Sequence, residues 1–227
     1  MRRLVVVTGT GTEIGKTHTT CALVRASEGK AVGLKPIESG VVVGDEGDDG
    51  RALRLASHPM FHVKHPTAPY LFRRPVSPHL AARDEGRTVE LEDVVRFLAA
   101  APTEPDVLFL ELPGGLFSPL GAALSNADLA AHLEPEALLL VAPDRLGVLH
   151  DVTATVRALA GTSLRVSAIA LVAPPAADAS TGTNAAELRG LGLASAPVFS
   201  IPRGSALELG HSEPVRRLYA ALAARVT

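Results

Sequence analysis

The chain has 227 residues, 47 % of them hydrophobic, a formal net charge of −2 at pH 7 and a single cysteine. That length and apolar content suffice for one large core and require no second domain, while the near-neutral charge, with no Lys/Arg run, excludes the basic footprint of a nucleic-acid binder. The lone Cys21 excludes an internal disulfide or a Cys-rich metal site. No apolar run reaches the ~18 residues of a membrane span, and the first residues pass straight into a strand, so a cytoplasmic protein without membrane contact is expected.

Short β-branched or Leu-rich runs at 4–7, 31–37, 106–112, 137–142, 166–172 and 197–201 predict strands. Most lack polar alternation, as strands covered on both faces do. Between them, helical patterns occupy 16–27, 49–56, 90–100, 127–133, 149–160, 184–191 and 213–226. The alternation predicts one α/β domain spanning 1–227, a mainly parallel sheet flanked by helices on both faces. Ligands of such sheets gather at the carboxyl ends of the strands, so polar residues just past a strand are the candidates for function.

The first strand leads into Thr8-Gly9-Thr10-Gly11-Thr12-Glu13-Ile14-Gly15-Lys16-Thr17. Glycines let successive backbone N–H groups turn inward on a polyphosphate. Lys16 then sets a point charge against the β- and γ-phosphates, and the Thr17 hydroxyl can hold Mg²⁺. The helix that begins near Lys16 adds its positive end. Strict G-x-x-x-x-G-K-T spacing asks for glycine at position 10, where Thr10 stands between Gly9 and Gly11. An ordinary glycine-rich turn with an incidental Lys is the bland alternative; a β-branched strand before and a helix after favour nucleotide phosphate.

Past the second strand, Lys35-Pro36-Ile37-Glu38-Ser39-Gly40 places a Lys at a buried strand's end, either to stabilise an anion or to snorkel at a sheet edge. The region 40–78 is poorly patterned and reads as loops and short helices near the site. In its acidic stretch, Asp48 and Asp49 precede a helix; Asp49 either caps that helix or offers a hard oxygen to Mg²⁺. In Pro75-Val76-Ser77-Pro78-His79, Ser77 reads as a helix cap and His79 as structural. Glu111, closing the third long strand ahead of Leu112-Pro113-Gly114-Gly115, would be expensive to bury unpaired, so a cation is its natural partner. Its Walker-B position makes that cation Mg²⁺. Cys21, in the first helix, reads as a small buried apolar residue.

Together these motifs resemble the dethiobiotin synthetases, P-loop NTPases with a Rossmann-like three-layer fold. The resemblance covers most of the chain: the loop at 9–17, K-P-x-x-S-G at 35–40, P-x-S-P-H at 75–79, E-x-x-G-G at 111–115 and the pair Leu146-Gly147. It implies an ATP-dependent ring closure of 7,8-diaminononanoate with CO₂ (or bicarbonate), with Mg²⁺ as cofactor. In that scheme Lys16 and Lys35 are catalytic: Lys16 bridges the phosphates and a substrate carbamate, and Lys35 stabilises the carbamate and the transition state. Thr12 and Ser39 bind the substrate, and Thr17, Asp49 and Glu111 surround the metal. Glu13, Ile14, Gly15 and Gly114 sit beside the nucleotide, with Pro202, Arg203 and Gly204 near the base.

The resemblance also implies a homodimer with shared sites, in which the helix start at Gly147, Val148, Leu149 and His150 receives the carboxylate tail of the substrate bound by the partner chain. Three places depart from the family pattern. Leu112 and Pro113 replace a Gly-Ala pair, His150-Asp151 replaces Asn-His, and Val172-Ala173-Pro174-Pro175 lacks the Asn that reads adenine, which leaves the base open. Two other readings compete: a nucleotide-switched binding protein and a paralogue that binds nucleotide without turnover. The switch proteins carry an early Lys in the loop, where this chain has Gly11-Thr12-Glu13.

Overall fold

The computed structural model describes residues 2–224. In chain order its elements are β1 (Arg3–Gly9), α1 (Lys16–Ala26), β2 (Ala31–Leu34), β3 (Ile37–Ser39), α2 (Asp48–Ala56), β4 (Tyr70–Phe72), α3 (Pro78–Asp84), α4 (Leu91–Ala99), β5 (Val107–Glu111), α5 (Asn126–Leu133), β6 (Ala137–Pro143), α6 (Val148–Ala158), β7 (Ala168–Val172), α7 (Asn184–Gly190), β8 (Val198–Ile201), α8 (Ala206–Gly210) and α9 (Glu213–Ala223). The end of the helix expected over 213–226 lies outside the described residues.

Six strands form one parallel sheet in the order β2-β5-β1-β6-β7-β8. Successive side chains of a strand point to opposite faces, and the two cores follow that alternation. Val5, Val7, Ala31, Phe109 and Leu139 pack beneath α1 and α9 with Leu23 and Leu218. Val6, Val32, Leu34, Leu110 and Leu138 face the other way, onto Val94 of α4 and Leu129 of α5. A third cluster joins Leu140, Ile169 and Leu171 to Val148 and Val152 of α6 and Leu188 of α7. Both faces of the sheet are therefore covered, which is why these strands read as continuous apolar runs.

One expected strand divides. The run 31–37 stops pairing after Leu34, and Ile37–Ser39 joins Tyr70–Phe72 in a separate parallel pair. Pro36, with no N–H, cannot donate to a ladder; its carbonyl instead accepts from the Tyr70 N–H at 3.2 Å. The region 40–78 holds α2, a 3₁₀ turn at Pro59–Phe61 and β4, so its character as loops and short helices stands, with one short strand added. Among the described residues, no helix is long and apolar enough to cross a membrane.

Candidate active site

Strand alternation brings the charged groups together. Gly33 and Leu34 of β2 lie opposite Phe109 and Leu110 of β5. The next residues, Lys35 and Glu111, therefore fall side by side on the α1 face. Lys35 Nζ lies 2.6 Å from Glu111 Oε1 and 2.8 Å from Asp49 Oδ2. Glu111 is fully buried and Lys35 only 5 % exposed. Burial pulls the Lys35 pKa down, but the two carboxylates outweigh it and hold the ammonium above the usual lysine range. Burial likewise raises the Asp49 carboxyl, and Lys35 more than reverses this, leaving it below the usual carboxylate range.

The phosphate loop meets this pair through α1. Thr17 donates to Glu111 Oε1 at 2.7 Å. Thr20 reaches Glu111 Oε2 at 3.1 Å and the Lys16 carbonyl at 2.9 Å. Positions 17 and 20 share a helix face, a spacing that would have flagged Thr20 as the second hydroxyl on the carboxylate. Lys16 donates to the Gly11 carbonyl at 2.6 Å, and burial followed by repulsion from Lys35 pushes its pKa down to about 8. Space is tight at position 9, where a Cβ would stand 3.0 Å from the Val141 carbonyl oxygen and displace Ile14 Cδ1, whereas Gly11 faces open space. Gly15, at φ +92°, starts α1 without a side-chain cap, leaving the first N–H groups of the helix to a ligand.

A third segment closes the floor. The Leu116 N–H donates to the Gly9 carbonyl at 3.0 Å, and the Gly115 N–H to Ser118 Oγ at 2.9 Å. Asn126, fully buried, donates through Nδ2 to the carbonyls of Pro113 and Gly115. These polar residues fix the turn against the phosphate loop, and neither Ser118 nor Asn126 was marked by motif reading.

The cleft bounded by these three segments has a volume of about 1080 Å³ and is lined by Thr12, Glu13, Ile14, Gly15, Lys16, Thr17, Lys35, Ser39, Asp49, Glu111 and Gly114. All of these are residues that sequence reasoning selected. Asp49 does not cap α2. That helix begins at Asp48 after Gly47, and the backbone N–H groups of Asp49 and Gly50 are met by Glu38. Ser77 does stand at the N-cap of α3, but its side chain caps nothing; the hydroxyl pairs with His79 Nδ1 at 2.9 Å. Cys21 is buried and free, as expected.

The donor set suits a hard cation. Two carboxylates, Asp49 and Glu111, and the Thr17 hydroxyl converge on one side of the cleft within reach of the phosphate loop. Among the described residues no cluster of three or more His, Cys, Asp or Glu forms a cage of its own. Mg²⁺ is commonly held in just this way, by one or two carboxylates with the remaining positions filled by phosphate oxygens and water.

A family model described as an AAA domain matches residues 3–207. The ATP-dependent dethiobiotin synthetase of Anaeromyxobacter dehalogenans (strain 2CP-C) is 41 % identical over 190 residues, 82 % of this chain and 84 % of that one. The enzyme of the same name from Caulobacter sp. (strain K31) is 36 % identical over 213 residues, 90 % of each chain. The chain belongs to the dethiobiotin synthetase family. At the level of fold alone, it is similar to a ParA family ATPase from Chlorobium tepidum TLS (TM-score 0.57, 11 % identity, 98 % of this chain and 99 % of that one). It is also similar to the septum site-determining protein MinD complexed with Mg-ADP from Pyrococcus horikoshii OT3 (TM-score 0.54, 16 % identity, 98 % and 95 %).

Seven residues expected for dethiobiotin synthetase chemistry lie outside the cleft. Pro202, Arg203 and Gly204 follow β8 and are exposed. Gly147 (φ +95°) caps α6, Val148 is buried against Val152, and Leu149 and His150 follow them in the first turn. The Val148 N–H already donates to the Arg145 carbonyl at 3.1 Å. Only Thr155, farther along α6, reaches this chain's own cleft. Val172 ends β7 against the phosphate loop, 3.0 Å from the place a Gly15 Cβ would take, and the Ala173 N–H is held by the Ile201 carbonyl.

Proposed function

We propose that this cleft closes the ureido ring of dethiobiotin from 7,8-diaminononanoate, CO₂ and a nucleoside triphosphate, ATP by family membership. The carrying observation is the meeting of Lys35 and Glu111 beside the phosphate loop. A substrate amine and CO₂ form a carbamate; a carbamate oxygen attacks the γ-phosphorus and ADP leaves. The second amine then attacks the carbonyl of the carbamic-phosphoric anhydride and releases phosphate and a proton. Little covalent help is required of the protein, and positioning with electrostatics supplies most of the rate.

In this reading Lys16 bridges the phosphates and the carbamate, and Lys35 stabilises the anion that develops between them. Ser39 Oγ is buried and finds no partner among the described residues, a donor and acceptor free for the substrate; Thr12 also lines the cleft. Mg²⁺, held by Thr17, Asp49 and Glu111, would neutralise charge on the β- and γ-phosphates. Glu13, Ile14, Gly15 and Gly114 border the nucleotide, and Pro202, Arg203 and Gly204 border its base. In the same reading the protein is a homodimer with shared sites: the α6 start at Gly147–His150 does not line this chain's own cleft and would receive the tail of the partner's substrate. A cytoplasmic setting accompanies this chemistry.

The test is phosphate release by purified protein with Mg-ATP, bicarbonate and diaminononanoate. Release should depend on the diamine and match dethiobiotin formed. Release that is the same without the diamine would sink the synthetase reading.

A further inference from the structure

One carboxylate on the cleft wall has no part in the chemistry above. Glu38, in β3, is buried to 8 % exposure. Burial pushes its pKa up, against the pull of two backbone hydrogen bonds. Oε1 accepts from the Asp49 N–H at 2.9 Å and Oε2 from the Gly50 N–H at 3.0 Å. These are first-turn donors of α2, which no intrahelical carbonyl can meet. Gly47, the N-cap, has no side chain to meet them, and a Cβ there would stand 2.4 Å from Glu38 Oε2. The helix is thus capped from another element, and the glycine makes room for it.

The same four-residue segment holds Asp49 from both ends: Lys35 binds its carboxylate at 2.8 Å and Glu38 its backbone. Asp49 is the one member of the metal-binding set carried by a helix outside the main sheet's strand ends and the phosphate loop, so its position depends on this grip. We propose that Glu38 is a positioning residue: by fixing the first turn of α2 it sets the Asp49 carboxylate against Lys35 and the nucleotide's Mg²⁺. This rests on the assignment of Asp49 to the metal. Partners that orient a metal ligand without touching the ion commonly govern affinity by about 10- to 100-fold.

The experiment compares Glu38→Ala, Glu38→Gln and Asp49→Asn with the parent protein. It measures affinity for a fluorescent ATP analogue in Mg²⁺ and in EDTA, and the Mg²⁺ half-saturation of phosphate release. Glu38→Ala should raise the half-saturation at least about tenfold while affinity in EDTA stays within about twofold. Glu38→Gln, which keeps one carbonyl acceptor, should recover part of the loss. Asp49→Asn should reproduce the Mg²⁺ defect. A shifted Asp49→Asn beside an unshifted Glu38→Ala overturns the positioning role alone; an unshifted Asp49→Asn overturns the metal assignment and the inference with it. Should Glu38→Ala fail to fold, Glu38→Asp keeps the charge but withdraws the carboxylate from the Asp49 and Gly50 N–H groups, and parent-like Mg²⁺ dependence in that variant overturns the proposal.

Discussion

Lys35 and Glu111 stand one residue beyond Leu34 and Leu110, the last residues paired between β2 and β5, and their charges meet at 2.6 Å where almost no solvent reaches. Each makes the other's burial tolerable. Removing one partner of such a pair leaves an uncompensated charge and costs about 3–5 kcal/mol. Lys35→Ala should therefore lower the thermal midpoint of the ligand-free protein as well as turnover, which should fall at least about a hundredfold. Nucleotide affinity by calorimetry should change little, because Lys16 and the loop amides remain. Equal losses in turnover and affinity would show that Lys35 binds nucleotide rather than stabilising the reacting anion.

Glu111→Gln keeps the shape and removes the charge. It should weaken nucleotide binding in Mg²⁺ and leave binding in EDTA nearly unchanged. An unaltered Mg²⁺ titration would remove Glu111 from the metal site.

Asn126→Ala cuts both anchors of the 113–115 turn and leaves buried carbonyls without donors, at about 1–3 kcal/mol. Denaturant unfolding should show that loss. Nucleotide affinity should fall with it, since the turn is tied to the Gly9 carbonyl; a stability loss with unchanged affinity would confine Asn126 to the fold.

The site was legible wherever its residues belong to short motifs. Lys16, Thr17, Lys35 and Glu111 each sit at a strand end or helix start that the apolar pattern locates, and the period of two then puts Lys35 and Glu111 on one face. Glu38 and Asn126 were not legible, because a carboxylate that caps a remote helix, or an amide that ties a turn, looks in one dimension like any polar residue. The break at Lys35-Pro36 was hidden differently. Ile37 continues the apolar run, and only the pairing with Tyr70–Phe72 shows that it belongs to another sheet.

Cys21 offers a pH test. Burial, and then Glu111, push its thiol up to about 12 from 9.0. A group with a raised native pKa contributes stability that is complete below its unfolded value and lost as pH climbs. Between pH 9 and 10 the thiol alone should remove about 1 kcal/mol. Cys21→Ala should flatten that part of the alkaline stability profile, and the native thiol should resist iodoacetamide at pH 8. Rapid alkylation of the folded protein would contradict the burial.

With Val172 and Ala173 in place of an adenine-reading amide, ATP, CTP and GTP should support turnover within about tenfold of one another. A preference for ATP above a hundredfold would mean that another side chain reads the base.

The register of β1 against β5 pairs Val7 with Glu111, and a slip of one place would turn that carboxylate to the opposite face. Added or lost length is therefore unequally borne along the chain. A residue inserted into 107–111 would disarm the enzyme even if the protein still folded, whereas one placed beside Gly161, on an exposed turn at the far end of the sheet, should pass unnoticed. In natural relatives, length variation should accumulate in such turns and stop short of the strands that deliver the two opposed charges.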